Sequence, residues 1–223
     1  MKKTLFLFLL VALAVSSCAT TRYYAGFTPE TAGQDMVLLG PSSDIYYLDK
    51  NNNDSYSDTL STVSETLIAG LLEELGVQFS DRIELDADEK EEAAAFMRYL
   101  INQKPNKRGD YAIPFCLDEA LEAQGCRYGL LLYAQGMTRD AKGYAKDVAK
   151  SAFLAVATAI LTLGTVTMYT TADAYSSQIF AAVLDAETNH VTFYNYSPLQ
   201  ERNPLRPDPV RKQLRSVIKD FLK

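Results

Sequence analysis

The sequence predicts a single α/β domain, a mixed sheet of about five strands with helices packed on it, ending in a hairpin and a C-terminal helix. Three observations predict it. Residues 128–134 (Tyr-Gly-Leu-Leu-Leu-Tyr-Ala) are almost continuously apolar, as a central strand covered on both faces should be. Residues 57–102 hold two stretches with apolar residues at spacings of three and four, the period of an amphipathic helix. Residues 178–184 and 190–196 are β-branched and aromatic runs separated by Asp185-Ala186-Glu187-Thr188-Asn189, a hairpin pattern.

Met1-Lys2-Lys3-Thr4, an apolar run over 5–15 and Ser16-Ser17-Cys18 have the layout of a secretory signal. An apolar core of roughly ten residues is too short to cross a bilayer of about 30 Å as a helix. Val15-Ser16-Ser17-Cys18 resembles the bacterial lipoprotein lipobox. That resemblance implies removal of residues 1–17, a diacylglyceryl group on the Cys18 sulfur and an acyl chain on its freed amino group. The membrane is then a partner through lipidated Cys18, because several acyl chains at about 0.8 kcal/mol per buried methylene anchor stably. Ala19-Thr20-Thr21 has no acidic residue at the second position, which resembles the enterobacterial outer-membrane pattern. It also lacks the acidic run of Bacteroides-type surface-export tags. The expected place is the periplasm-facing leaflet of the outer membrane.

The chain of 223 residues carries a net charge of −6, and losing Lys2 and Lys3 with the signal makes it more acidic. An acidic body does not bind nucleic acid non-specifically. About two hundred mature residues suffice for one domain with a core. Cys116 and Cys126 remain after processing. A helix over 117–124 would be about 12 Å long, and bonded Cα atoms must lie within about 7 Å. Two buried thiols are expected rather than a bridge, which would need a sharp return at Gly125. His190 is the only histidine, no ligand cluster surrounds the cysteines, and no metal or cofactor is expected.

Residues 18–34 read as a lipidated linker, with Gly26, Pro29 and Gly33 and little periodicity, leading to the domain at 35–223. Residues 36–39 and 45–48 read as two strands, possible partners in a hairpin broken at Gly40-Pro41. Asp49, Asn51 and Asn53 match the first positions of a calcium loop, but Asp54 and Leu60 stand where glycine and glutamate belong. The stretch therefore reads as a solvated loop leading to a helix cap. Ser57 or Asp58 caps a helix to about Leu75, closed by Gly76, with Leu60, Val63, Leu67, Leu71 and Leu75 as its stripe and Ile68 and Leu72 widening it. Residues 77–79 and 83–85 form a short bent strand. A second helix starts at 86–88, with acidic residues in its first turn, and buries Phe96, Tyr99 and Leu100. Pro114 opens a third helix. In the second strand of the hairpin, Val191, Phe193 and Asn195 alternate against Thr192, Tyr194 and Tyr196, so one face should be wetter. Asp208-Pro209 caps the last helix, with Val210, Leu214, Val217, Ile218, Phe221 and Leu222 on one side.

An insertion over 137–177 separates the central strand from the hairpin. Lys142, Lys146 and Lys150 make one basic stripe at helical spacing, and residues 151–172 carry no charge. Phe153, Leu154, Val156, Ile160, Leu161 and Leu163 make that stretch very apolar, Gly164 breaks it, and residues 165–168 alternate like a strand. Three readings stay open: a helix buried on the sheet, an interface between copies of the chain or with an envelope partner, and a membrane contact with the lysines at anionic head groups. A helix over 141–163 would be roughly 35 Å long, too long to pack neatly on so small a sheet, which favours the last two.

The order of elements, the lipobox, Leu75-Gly76-Val77 and the hairpin with Val183-Leu184-Asp185-Ala186-Glu187-Thr188 resemble a group of envelope lipoproteins. The fold is similar to the α/β domain shared by the TolB amino-terminal region and the curli-export lipoprotein. That group offers no catalytic residues to carry over. The chain itself has no nucleophile elbow, phosphate loop or zinc spacing, and Glu73-Glu74 and Glu91-Glu92 read as exposed helix faces. The expected function is non-catalytic: a lipid-anchored envelope protein serving assembly, secretion or envelope maintenance. The alternative is a periplasmic ligand or peptide binder that accepts a strand at the hairpin edge.

Overall fold

A computed structural model describes residues 22–23, 27–29, 36–49, 53–77, 79–103, 111–139 and 175–222. The strands are β1 (Arg22–Tyr23), β2 (Met36–Leu48), β3 (Asp54–Tyr56), β4 (Arg82–Ile83), β5 (Tyr128–Arg139), β6 (Tyr175–Asp185) and β7 (His190–Tyr196). The helices are α1 (Asp58–Glu74), α2 (Ala87–Gln103), α3 (Phe115–Ala123) and α4 (Pro207–Val217), the last followed by a 3-10 turn at Lys219–Phe221. The seven strands form one mixed sheet in the order β1-β7-β6-β5-β2-β3, with β4 also pairing with β2. β2 runs parallel to β4 and β5, and the remaining pairs are antiparallel.

The long strands are apolar on both faces because each face is covered. Ile68, Leu71 and Leu72 of α1 and Val210, Leu214 and Val217 of α4 pack with Leu38, Leu130, Leu132 and Phe193 on one side. Ala93, Phe96 and Met97 of α2 and Leu117 and Leu121 of α3 pack with Val37, Leu39, Leu131 and Val191 on the other. Each fully buried side chain of Leu or Phe size contributes about 1.5–3 kcal/mol. Two buried amides tie α4 to the sheet. Gln213 Oε1 accepts from Ser177 Oγ at 3.0 Å while its Nε2 donates to Ser177 O at 2.8 Å. Asn195 Nδ2 donates to Val217 O at 2.7 Å.

The central strand, the β6–β7 hairpin, and the start of α1 at the Ser57 cap lie where the sequence predicts them. Gly76 follows α1 with φ 71°, the left-handed conformation that closes helices. Several details differ. Residues 36–39 and 45–48 are one strand rather than a hairpin, because Gly40-Pro41 forms a β-bulge opposite Leu132 and the pairing with β5 resumes at Ser42. A proline without an N–H is tolerated at a bulge. The hairpin partner of β2 is instead β3, in a stretch read as loop, and Asp49 accepts from the Asn53 N–H at 3.0 Å across the turn.

A second bulge removes the wetter face expected of β7. Pairing passes from Val183–Phe193 to Leu184–Val191, so Thr192 is the extra residue and Val191 and Phe193 fall on opposite faces. Residues 191–195 are all buried. The inward stripe of α1 is rotated by one residue: Ser61 and Ser64 are buried and Val63 is exposed, because the helix crosses the polar half of β2. Tyr99 is exposed on α2, and Ala93, Ala94 and Met97 face inward beside Phe96 and Leu100. Of the described residues of the bent strand over 77–85, Arg82–Ile83 form a strand paired with β2, and Ser80 and Asp81 add backbone hydrogen bonds to Met36 and Leu38. α4 begins at Pro207 with Arg206 at its N-cap, and Asp208 lies in its first turn.

The segment read as a linker is in part tied to the body. Arg22 and Tyr23 pair with Tyr194 and Phe193. Phe27 is buried, with its ring 5.8 Å from Tyr128 and 6.1 Å from Phe193. β5 runs on to Arg139 and β6 starts at Tyr175, so both ends of the 137–177 insertion belong to strands. Cys116 and Cys126 are free thiols, each half-buried.

Candidate functional site

The Gly40-Pro41 bulge determines what lies beyond it on β2. Before it, Val37 and Leu39 face α2; after it the alternation is inverted, so Ser42 and Asp44 take that side and Ser43 and Ile45 turn towards α1. Among the described residues, the outer edge of β2 has no strand between its pairs with β4 and β3. Side chains of α1 occupy that gap. The Ser43 N–H donates to Glu65 Oε1 at 3.1 Å, the Ile45 N–H to Ser61 Oγ at 3.0 Å, and Ser43 Oγ to Ser64 Oγ at 3.0 Å. Buried backbone donors need such partners, which explains why α1 buries serines where a leucine stripe was expected.

On the other side, Asp44 Oδ2 accepts from Arg98 Nη1 at 2.7 Å and from the Tyr133 hydroxyl at 2.5 Å. Burial pushes the Tyr133 phenol up, and the Asp44 carboxylate beside it pushes it further. Burial pulls the Arg98 guanidinium down, but the hydrogen bond and charge of Asp44 outweigh it and leave the group above its ordinary value. Burial raises Glu65 above the ordinary carboxylate range, and Lys90 partly offsets this.

Next to them lies a cleft of about 630 Å³ between α1 and α2, lined on β2 by Ser42, Ser43, Asp44 and Tyr46. That volume is in the range of small-molecule sites. Asp44, Asp58, Glu65 and Glu91 contribute four carboxylates to its lining, against two cations from Lys90 and Arg98. Tyr46 and Tyr56 lie on its wall with their rings edge to face, 6.1 Å between centroids. Ser42 lines the cleft at 4% exposure, and its Oγ is buried with no hydrogen-bond partner among the described residues. Such a set of donors, acceptors and rings can bind a polar ligand. His190, the chain's only histidine, opens β7 and bonds to Thr188 O, apart from the cleft lining. The serines of the cleft therefore have no imidazole base.

The residues singled out from the sequence (Cys18, Lys142, Lys146, Lys150, Phe153, Leu154, Val156, Ile160, Leu161 and Leu163) lie outside the described residues. The sequence marks none of the cleft residues as a site residue: Asp58 reads as a helix cap and Glu91 as part of an exposed helix face. The available signal was Ser42-Ser43-Asp44 inside an otherwise apolar stretch, directly after Gly40-Pro41. No helix among the described residues is long and apolar enough to cross a membrane, and no group of three or more metal-ligating side chains occurs among them.

No family model matches the chain, and no curated protein matches it. Among solved structures it is similar to the PelC dodecamer from Paraburkholderia phytofirmans, with 10% identity, a TM-score of 0.41, and coverage of 91% of this chain and 94% of that one. A single-substitution variant of that dodecamer gives 10% identity, a TM-score of 0.39 and coverage of 86% and 91%. The LpoB C-terminal domain from Salmonella enterica gives 9% identity, a TM-score of 0.32 and coverage of 80% and 88%.

Proposed function

We propose that this chain is a lipid-anchored, non-catalytic protein of the cell envelope. It is processed at Cys18, held at the periplasm-facing leaflet of the outer membrane, and serves as an assembly, secretion or maintenance component. The finer likeness to the TolB amino-terminal and curli-export domains belongs to the same reading. In it, residues 151–172 and the Lys142, Lys146 and Lys150 stripe contact the membrane or another copy of the chain.

One topological observation supports the reading most. β5 ends and β6 starts at the same end of the sheet, where Thr138 pairs with Tyr175, β7 ends opposite Phe180, and Arg22 of β1 pairs with Tyr194, level with Ala182 of β6. Only residues 19–21 separate Arg22 from Cys18, a reach of no more than about 14 Å for extended chain. Both attachment points of segment 140–174 lie at one end of the sheet, and β1, antiparallel to β7, runs away from that end, so the side of β1 that leads to Cys18 faces it.

The test is mass spectrometry of the mature N-terminus together with fractionation of a Cys18→Ser variant. Acyl chains on Cys18, and loss of the variant from the membrane fraction, are expected. A free thiol at Cys18 removes the anchor from the proposal. Deleting residues 152–167 is expected to leave the body folded while abolishing self-association or liposome flotation. Unfolding on deletion would make the segment part of the core.

A second reading, a lipid-anchored ligand binder, is favoured by the cleft of about 630 Å³ with its polar lining.

A further inference from the structure

We infer that the end of the sheet carrying Leu199, Arg202 and Arg206 docks on an anionic phospholipid surface, with both arginines on lipid phosphates and Leu199 entering the interface. The inference deepens the envelope reading and rests on it, but it does not need the acyl chains on Cys18.

The loop between β7 and α4 is pinned to that end. Ser177 and Gln200 exchange backbone hydrogen bonds at 2.9 and 3.0 Å beside the start of β6. Pro204 is buried against Gly136 of β5, where an added Cβ would lie 2.7 Å from Pro204 Cβ. Asn203 accepts from the Leu205 N–H through Oδ1 at 2.9 Å and from the Arg206 N–H through its carbonyl at 3.3 Å. Arg202 and Arg206 are exposed on this loop and line one hollow of about 370 Å³ with Tyr175, the first residue of β6. A loop held in this way loses little freedom on binding.

The charges match such a surface. Neither arginine has an ion-pair partner among the described residues. The carboxylates of the hollow are Glu201 and Asp208, and Arg211 already holds Asp208 at 3.0 Å. Of the described helices, α1, α2 and α3 are net acidic and α4 alone is net basic. A negative surface therefore repels the rest of the body and admits the end where α4 begins. Pro207 and Pro209 remove N–H groups from the first turn of α4, so guanidinium groups rather than helix amides hold the anion. Guanidinium pairs bidentately with phosphate oxygens.

Leu199 favours a membrane over a soluble anion. It is 68% exposed, one residue before Gln200. An apolar side chain beside cations suits the interface, where the one enters and the others meet head groups. Its placement carries more than its exposure. Segment 140–174 leaves and rejoins the sheet at this end, and the chain enters β1 from the side that faces it.

The experiment is flotation of the unlipidated chain carrying Cys18→Ser with vesicles of phosphatidylcholine, alone or mixed equally with phosphatidylglycerol. Binding to the mixed vesicles only, weakened by salt, is expected. Arg202→Gln and Arg206→Gln should each weaken it by about fivefold, and Leu199→Ser by a few-fold. Arg82→Gln, at an exposed cation of β4 towards the other end of the sheet, should leave it unchanged. The substituted side chains are exposed, and an unchanged unfolding midpoint would show that the variants fold. Binding that survives the Arg202→Gln, Arg206→Gln double variant would overturn the assignment. So would an equal loss in Arg82→Gln, equal binding to pure phosphatidylcholine, displacement by inorganic phosphate at matched ionic strength, or no binding to either vesicle. Lipidation of Cys18 is read separately by mass spectrometry, so a failure here leaves the anchoring proposal intact.

Discussion

Asp44 and Tyr133 are joined by a 2.5 Å hydrogen bond across the parallel pair of β2 and β5, with the tyrosine fully buried. The bond exists because the Gly40-Pro41 bulge turns Asp44 to the side of the sheet on which Tyr133 sits. Arg98 reaches the same carboxylate oxygen from α2, but 44% of its side chain is exposed. The two donors should therefore differ in worth. Tyr133→Phe removes the buried donor to a charged acceptor and should cost about 1.5–3 kcal/mol. Arg98→Met removes a solvent-screened partner and should cost less than about 1 kcal/mol. Urea unfolding of the two variants checks the ranking, and equal losses would mean that the tyrosine hydroxyl is not the principal partner.

The architecture was legible in the sequence because it depends on periodic apolar residues. Residues 128–134 and the hairpin around 185–189 carry that pattern in unbroken form. The bulges were not legible. Gly40-Pro41 looks like a break, and only its pairing opposite Leu132 shows that the strand continues. Thr192 looks like an ordinary alternating residue, and only the partner strand shows that it is the extra one. The cleft depends on the first bulge, so it could not be assembled from local pattern. Ser61 and Ser64 carry no local signal for the same reason. Serines facing inward on a helix make sense only once the backbone donors of Ser43 and Ile45 are known to lack a strand.

Gly129 on β5 is a close-approach position. A Cβ built there would lie 2.8 Å from both Leu121 Cδ2 and Leu39 Cδ1, side chains that belong to the core beneath α3. Gly129→Ala should destabilise by about 1–3 kcal/mol, the usual cost of overpacking. Gly70 is the contrast. It lies within α1 with nothing inside 4 Å of an added Cβ, and Gly70→Ala should stabilise by about 0.5–1 kcal/mol through reduced chain entropy. Thermal unfolding of both should shift in opposite directions. Two shifts of the same sign would contradict the packing described for β5.

Glu65 gives the body a pH dependence of defined sign. Burial raises its carboxyl above 4.5, so on acidification the folded chain takes up that proton before the unfolded chain does. The penalty for charged Glu65 is present at neutral pH, shrinks as pH falls through the raised value, and is gone below 4.5. Glu65→Gln keeps an oxygen for the Ser43 N–H and removes the buried charge, along with the smaller attraction of Lys90. It should stabilise the chain at pH 7 by less than about 1 kcal/mol after allowance for screening, and the gain should fade on acidification. A variant less stable at pH 7 would show that the Lys90 attraction outweighs burial.

Cys116 should behave as an inert thiol. Burial, then the hydrogen bond and charge of Glu92, then the charge of Glu89, push it up from 9.0 to about 12. The thiolate is the reactive form, so in a Cys126→Ser background iodoacetamide at pH 9 should modify folded Cys116 about a hundredfold or more slowly than the urea-unfolded chain. Glu92→Gln should speed the folded-state reaction by removing the nearest negative charge. The linkage has a definite direction. Between pH 9.0 and about 12 the unfolded chain loses this proton first, so this group lowers stability as pH rises through that window. Cys116→Ala should flatten the alkaline limb of the stability curve. Equal alkylation rates for folded and unfolded chain would show that neither burial nor the glutamates on α2 protect the sulfur.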